Sequence, residues 1–170
     1  MKVAIHGPMC SGKTTLATLI MQLDTRHNIF SFGQPIKDLA VELFNMKDKD
    51  RSLLISIADK MREIDKDVWA KYTLQKTKHT NFCIIDDLRF QNELDLLQGW
   101  TIISLITPYE ERIKRIKKIY PHNFEDHIKN MSHLSENGIL TFPNDTIYIN
   151  TTEPHKKIHQ QIFTLLEKHK

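Results

Sequence analysis

The chain has 170 residues, 40% hydrophobic and 26% charged, with 24 Lys and Arg against 21 Asp and Glu. That is one domain's length, enough to bury roughly 70% of the unfolded surface without covalent staples. A net charge of +3 is too small and too mixed for a nucleic-acid binder, and two cysteines, Cys10 and Cys83, are too few for a disulfide framework or a four-ligand zinc site. No run approaches the roughly 18 apolar residues of a membrane helix. Val3 to Ile5, broken at once by His6, Gly7 and Pro8, is too short for a signal-peptide core. The expectation is a reduced, soluble, cytoplasmic protein with neither membrane nor nucleic-acid partner.

Lys2–His6 reads as a short apolar strand running into glycine, and Ser11 to Leu23 as a helix with Leu16, Leu19, Ile20 and Leu23 on one stripe. Asn28–Phe32 is a second strand. Pro35 suits a helix's first turn, after which Ile36, Leu39, Ala40, Leu43 and Phe44 share a face. Asp50 caps a helix burying Leu54, Ile57, Ala58 and Met61. Asp65 caps another, from Lys66 to about Thr77, that carries Trp69, Tyr72 and Thr73. Trp69 and Tyr72 at that spacing read as core residues.

Asn81–Ile85 is an apolar strand ending in Asp86-Asp87. Phe90, Leu94 and Leu97 form a helix stripe that stops at Gly99. Thr101–Ile106 is a strand, and Glu110 to Ile119 a helix halted by Pro121. His122–Thr141 is polar and fits no element clearly. Thr146–Ile149 is a last strand, and Pro154 opens a helix with Ile158, Ile162, Leu165 and Leu166 inward. Strands that are apolar throughout and alternate with helices predict an α/β fold with a buried five-stranded parallel sheet. Sites in such sheets lie at the strands' carboxyl ends.

Gly7-Pro8-Met9-Cys10-Ser11-Gly12-Lys13-Thr14 matches G-x-x-x-x-G-K-[ST] in full, between a strand and a helix. Glycines let the backbone curl so that its N–H groups face one concavity, and the helix N-terminus adds positive potential. The segment, extended by Thr15, is the candidate ATP site. Lys13 reaches the β- and γ-phosphates, and the Thr14 hydroxyl binds Mg²⁺. Chance produces this pattern in on the order of 1% of chains this long, so the sequence context decides for function. Cys10 fits there as a small residue.

Cys83 to Leu88 then ends on two carboxylates, followed by Arg89. A rigid strand that delivers an acid near Mg²⁺ is what a second nucleotide motif requires, which points to Asp86 as the metal-side acid. Asp87 and Arg89 are the candidates for the acceptor side. A guanidinium grips phosphate bidentately. The bland alternative is a strand end in which Asp87 and Arg89 pair with each other.

With these pieces in hand, the chain resembles the deoxynucleoside monophosphate kinases of phages and large DNA viruses, whose relatives are the animal-type phosphomevalonate kinases. The resemblance rests on Gly7–Thr14, on Ser31-Phe32-Gly33-Gln34-Pro35-Ile36-Lys37, on Asp87-Leu88-Arg89, on His133-Leu134-Ser135-Glu136 and on Asn150 after the last strand. It implies a P-loop NMP-kinase-like fold and phosphoryl transfer from ATP with Mg²⁺. It places Gly33, Lys37 and Arg89 by the acceptor and Asn150 near the adenine, and a viral chain would work in the host cytoplasm. Relatives often carry Asp after the loop lysine, where this chain has Thr14, and many are longer.

Pro108–Tyr120 holds Arg112, Lys114, Arg115, Lys117 and Lys118, with Ile113, Ile116 and Ile119 on the packed side. It reads either as a lid, within a lid-like segment around 108–136, or as a solvated basic helix face. Arg112 and Arg115 are the lid candidates, since such an arginine neutralises charge that develops during transfer. Arg62, after a buried stripe, is a further acceptor-side candidate. His127 and His133 lack metal-ligand partners at the expected spacing and read as structural. The resulting expectation is a (deoxy)nucleoside monophosphate kinase. A phosphomevalonate-type or other small-molecule kinase is the alternative, with Asp86 or Asp87 as base for a hydroxyl acceptor. A nucleotide-dependent switch is a more remote reading.

Overall fold

The computed structural model describes residues 1–133, 136 and 138–168. Five strands, β1 (Lys2–His6), β2 (Asn28–Phe30), β3 (Cys83–Leu88), β4 (Thr101–Ile106) and β5 (Ile147–Asn150), form one sheet in the order β2-β3-β1-β4-β5. All neighbouring pairs are parallel. The helices are α1 (Lys13–Leu23), α2 (Gln34–Phe44), α3 (Arg51–Ile64), α4 (Val68–Lys76), α5 (Gln91–Asp95), α6 (Tyr109–Ile119), α7 (Phe124–Lys129) and α8 (His155–Glu167). None of the described helices is long and apolar enough to cross a membrane.

The central strands are apolar throughout because both faces are covered. Val3, Ala4, Ile5, Cys83, Ile84 and Ile85 are wholly buried. Strand alternation sends neighbours to opposite layers. Val3, Ile5 and Ile84 pack with Leu16, Ala17 and Ile20 of α1 and Ile162 and Leu166 of α8. Ala4, Ile85 and Leu88 pack with Ala70 of α4 and Leu94 of α5. Truncating Ile84 to Ala here costs about 2–5 kcal/mol. The edge strand β5 alternates instead, with Ile149 buried and Tyr148 exposed.

Several element ends depart from the sequence reading. The helix expected from Ser11 starts at Lys13, because Ser11 and Gly12 belong to the loop. The second strand stops at Phe30, since Phe32 turns into the core and Ser31 to Gly33 bind a carboxylate. Asp65 does not cap α4: it accepts the Asp67 N–H in a turn, and the helix begins at Val68. The stripe before Gly99 is helical only over Gln91–Asp95. The segment with no clear element contains α7 and a 3₁₀ turn, Asn130–Ser132.

Four residues expected inside are outside. Leu43 and Phe44 are exposed in the last turn of α2, and Ile119 at the end of α6, where it lines the cleft. Tyr72 is also exposed and stacks under the Lys76 ammonium, whereas Trp69 is buried and donates Nε1–H to the Ala58 carbonyl.

Candidate active site

The carboxyl ends of the strands border a cleft of about 1070 Å³. One wall is the loop between β1 and α1. Its backbone enters conformations that only glycine accepts readily. Gly7 has φ +156° and a Cβ there would lie 2.5 Å from Ser11 Oγ. Gly12 has φ +103°. No side chain caps α1, so its first N–H groups are left for a ligand. Met9 to Thr15 line the cleft, while Gly7 and Pro8 turn their carbonyls to Lys13.

Lys13 is buried, and its ammonium donates to Gly7 O at 2.5 Å and Pro8 O at 2.9 Å. Burial, aided by Arg89, pulls its pKa down to about 7. A phosphate at this point supplies the negative charge that the ammonium lacks. Thr14 Oγ1 donates to Asp86 Oδ2 at 3.1 Å. Burial, and then the neighbouring Asp87, raise the Asp86 pKa. A hydroxyl and a carboxylate side by side are hard oxygen donors that fit Mg²⁺.

The adjacent acids serve different places. Ala4 pairs with Ile85 but His6 pairs with Leu88, so β3 takes three steps where β1 takes two. Such a bulge re-aims side chains. Asp86 is thereby turned to the loop. Asp87 faces the start of α2, where Oδ1 accepts Phe32 N–H at 2.7 Å. Its Oδ2 accepts Gly33 N–H at 2.7 Å and Ser31 Oγ–H at 2.6 Å. Asp87 thus fixes the turn that presents Lys37, and it does not pair with Arg89.

The facing wall carries Lys37, Lys49, Arg51, Arg62 and Arg89. Arg62 stacks over the Phe90 ring at 4.3 Å and bonds Asp59, which also meets His133 Nε2 at 3.1 Å. Glu93 is buried and accepts the Arg89 and Phe90 N–H groups at 2.9 and 3.0 Å. Burial, then Asp87, push its pKa up to about 7. Arg89 and Arg51 both donate to Glu136, which also accepts Met9 N–H. Of the piece His133-Leu134-Ser135-Glu136, Leu134 and Ser135 lie outside the described residues.

The two α6 arginines diverge. Arg115 straps the loop, donating to Cys10 O, Ser11 O and Thr151 Oγ1, each at 3.2 Å, and to Thr151 O at 3.1 Å. Arg112 is buried off the cleft beside the Tyr109 ring. One helical turn separates Arg112 from the fully buried Ile116, which sets it on the packed face. Asn150 is exposed and does not line the cleft; its Oδ1 accepts from Thr152, and Thr151 lines the cleft instead. His127 is fully buried and stacked on Tyr120 at 3.9 Å.

Sequence reasoning missed Lys49, Arg51 and Glu93. The first two sit in a stretch of mixed charge, Lys47 to Arg51, with no motif. Only Asp50, which accepts Leu53 N–H at 2.8 Å and so caps α3, marked where Arg51 would start a helix.

The family described as "AAA domain" matches residues 3–130. No curated protein matches the sequence. Among solved structures, a gluconokinase from Sinorhizobium meliloti 1021 is 12% identical, with a TM-score of 0.63 over 98% of this chain and 91% of that one. A sugar kinase from Janibacter sp. HTCC2649 is 19% identical, with a TM-score of 0.57 over 98% and 94%. A deoxyadenosine kinase from M. mycoides, with products dCMP and dCDP bound, is 16% identical, with a TM-score of 0.57 over 99% and 100%. At these identities the likeness establishes the P-loop kinase-like α/β fold.

Proposed function

Since the chain belongs to the AAA-domain family, we propose that it is an ATP-dependent phosphotransferase acting on a nucleoside monophosphate, a deoxynucleotide in the first instance. One observation carries the reading. A single cleft of about 1070 Å³ has a phosphate-binding loop on one side and a wall of cations facing it. That volume is at the upper end for one small ligand and suits two. The deoxyadenosine kinase with products dCMP and dCDP shares the fold, which supports a nucleoside-type ligand in the cleft without deciding between a hydroxyl and a phosphate acceptor.

In this mechanism the loop N–H groups and Lys13 hold the ATP phosphates. Thr14 and Asp86 are the residues that would hold Mg²⁺, which when bound neutralises phosphate charge. Arg89 bridges the terminal phosphoryl group of ATP and the acceptor phosphate, which Lys37 and Arg62 also hold. Arg115 keeps the loop closed on the donor side. A monophosphate oxygen is ionised near pH 7, because its second pKa is about 6. Positioning and charge neutralisation then carry the reaction without a general base.

Asp87 is unsuited to act as the base for a hydroxyl acceptor, because its oxygens accept three hydrogen bonds from Ser31 to Gly33. That leaves Asp86 as the candidate of the acid pair for that role. A coupled ADP-release assay tests the reading, with ATP, Mg²⁺ and a panel of dNMPs, NMPs and phosphomevalonate. Stimulation by a monophosphate, lost in Lys13→Ala, is the expected result. ATP binding without stimulation by any panel member would return the assignment to another acceptor or to a switch.

A further inference from the structure

Glu136 has a position that neither the loop motif nor the acid pair explains. It is far along the chain from everything it touches. Its side chain is wholly covered, yet it is charged. One oxygen accepts the Met9 N–H at 2.5 Å, and the other accepts from Arg51 and from Arg89. These partners come from the loop, the start of α3 and the end of β3. Met9, Arg51 and Arg89 all line the cleft, whereas Glu136 lies behind them.

We infer that Glu136 is a positioning residue: its carboxylate locks Arg51 and Arg89 against the phosphate-binding loop, so that both guanidiniums meet the terminal phosphoryl group of ATP. The inference rests on the phosphotransferase reading and adds Arg51 to the residues that hold the transferring group. Two guanidiniums this close repel one another, and a shared buried anion removes that repulsion and sets their spacing. Groups held before the ligand arrives need no reorganisation during transfer.

Arg51 is anchored at both ends. Its backbone N–H donates to Asp126 Oδ2 at 2.9 Å, and Ser52 Oγ donates to Asp126 Oδ1 at 2.7 Å. Its side chain lines the cleft, so the guanidinium held by Glu136 is presented to the ligand side. Burial works to raise the Glu136 pKa, but Arg89, Arg51 and Lys13 together hold it below the usual carboxylate value. The clamp therefore stays ionised at neutral pH.

The test compares ATP with ADP, because only ATP carries the phosphoryl group that reaches the clamp. Glu136→Gln keeps the shape and removes the charge. Titration calorimetry of the full chain with each nucleotide and Mg²⁺ needs no acceptor. We expect Glu136→Gln and Arg51→Ala each to weaken ATP about tenfold and to change ADP less than about twofold. The double variant should lose about tenfold as well, not a hundredfold, because both act through one unit. Glu136→Asp should recover part of the loss.

Equal weakening of ATP and ADP would reduce Glu136 to a structural role. Tighter ATP binding would make the carboxylate an internal competitor of phosphate. Either result, or additive losses, overturns the inference. Should Glu136→Gln not fold, Arg51→Lys reads the same point by keeping the charge without the planar fork, and unchanged ATP affinity there overturns it too. A wild-type chain that binds ATP but phosphorylates no monophosphate refutes the proposed acceptor and leaves the clamp to be judged on the ATP-to-ADP difference. A wild-type chain that binds neither nucleotide refutes both.

Discussion

Gly7–Thr14 supplies one wall of the cleft from eight consecutive residues. The facing wall draws on α2, α3, β3 and α5, joined by contacts such as Arg89 to Glu136 and Arg51 to Glu136, 47 and 85 positions apart. The first wall is a local conformation: glycine dihedrals and a helix start produce it wherever a strand precedes them. The second exists only when the sheet is assembled. Damage to the first wall should therefore fall on chemistry, and damage to the second on stability and chemistry together.

The largest expected effect is in the local wall. Lys13→Ala should lower phosphoryl transfer by about a hundredfold or more, the scale for losing one preorganised charge-stabilising donor. Circular dichroism should show the fold intact. Unfolding of this variant would break the distinction between the walls.

The acid pair sharpens it further. Asp87→Ala leaves the Phe32 and Gly33 N–H groups without their acceptor. At about 1–3 kcal/mol for each unsatisfied buried donor, the loss is about 3 kcal/mol. That corresponds to roughly 6–12 °C in melting temperature for a chain of this size. Asp86→Ala should change stability by less than about 1 kcal/mol, since burial and Asp87 already disfavour its ionised form. Its cost should appear as lost Mg²⁺-dependent turnover. Thermal melts of the two variants side by side decide the matter, and equal losses would contradict the split that the bulge creates.

A pH experiment reads chiefly Lys13 of the local wall, with Glu93 of the facing wall, also pushed to about 7, titrating beside it. Burial holds the Lys13 pKa at about 7, against 10.5 ordinarily. Between these values the unfolded chain binds more protons, so this lysine opposes the fold most below about 7 and less and less as pH rises. Phosphates favour the ammonium form. Nucleotide binding near pH 8 should thus take up a proton, and affinity should fall as pH rises above about 7. Calorimetry in buffers of different ionisation enthalpy measures the uptake; its absence would mean that Lys13 is already fully charged in the free protein.

The smallest effect belongs to Gly33→Ala. Its φ of −82° suits any residue, but the new Cβ would lie 3.0 Å from Asp87 Oδ2. A loss of about 1 kcal/mol and a raised KM for the acceptor are expected, with KM for ATP unchanged.

The strands, the loop and α1 were legible in the sequence because their signals are short-range: apolar runs, glycine spacing and stripes at helical period. Arg62 was legible for a related reason, since it follows a buried stripe on α3 and lines the cleft. Tyr72 had the same helical spacing as Trp69 yet is exposed, because period locates a face and not the edge of the layer that covers it. Arg112 and Arg115 looked equivalent in one basic run. Docking of α6 placed one in its packed face and the other across the loop.

By itself the sequence determined a parallel α/β sheet and a phosphate-binding loop, since both follow from interactions among residues close in the chain. Only the tertiary structure decided that Asp86 serves the loop while Asp87 serves a turn, and that Arg51 and Arg89 share Glu136. A strand bulge and a covered carboxylate depend on which strands and helices become neighbours. Their partners lie tens of residues apart, and no period or spacing within the chain encodes a distance that packing alone sets.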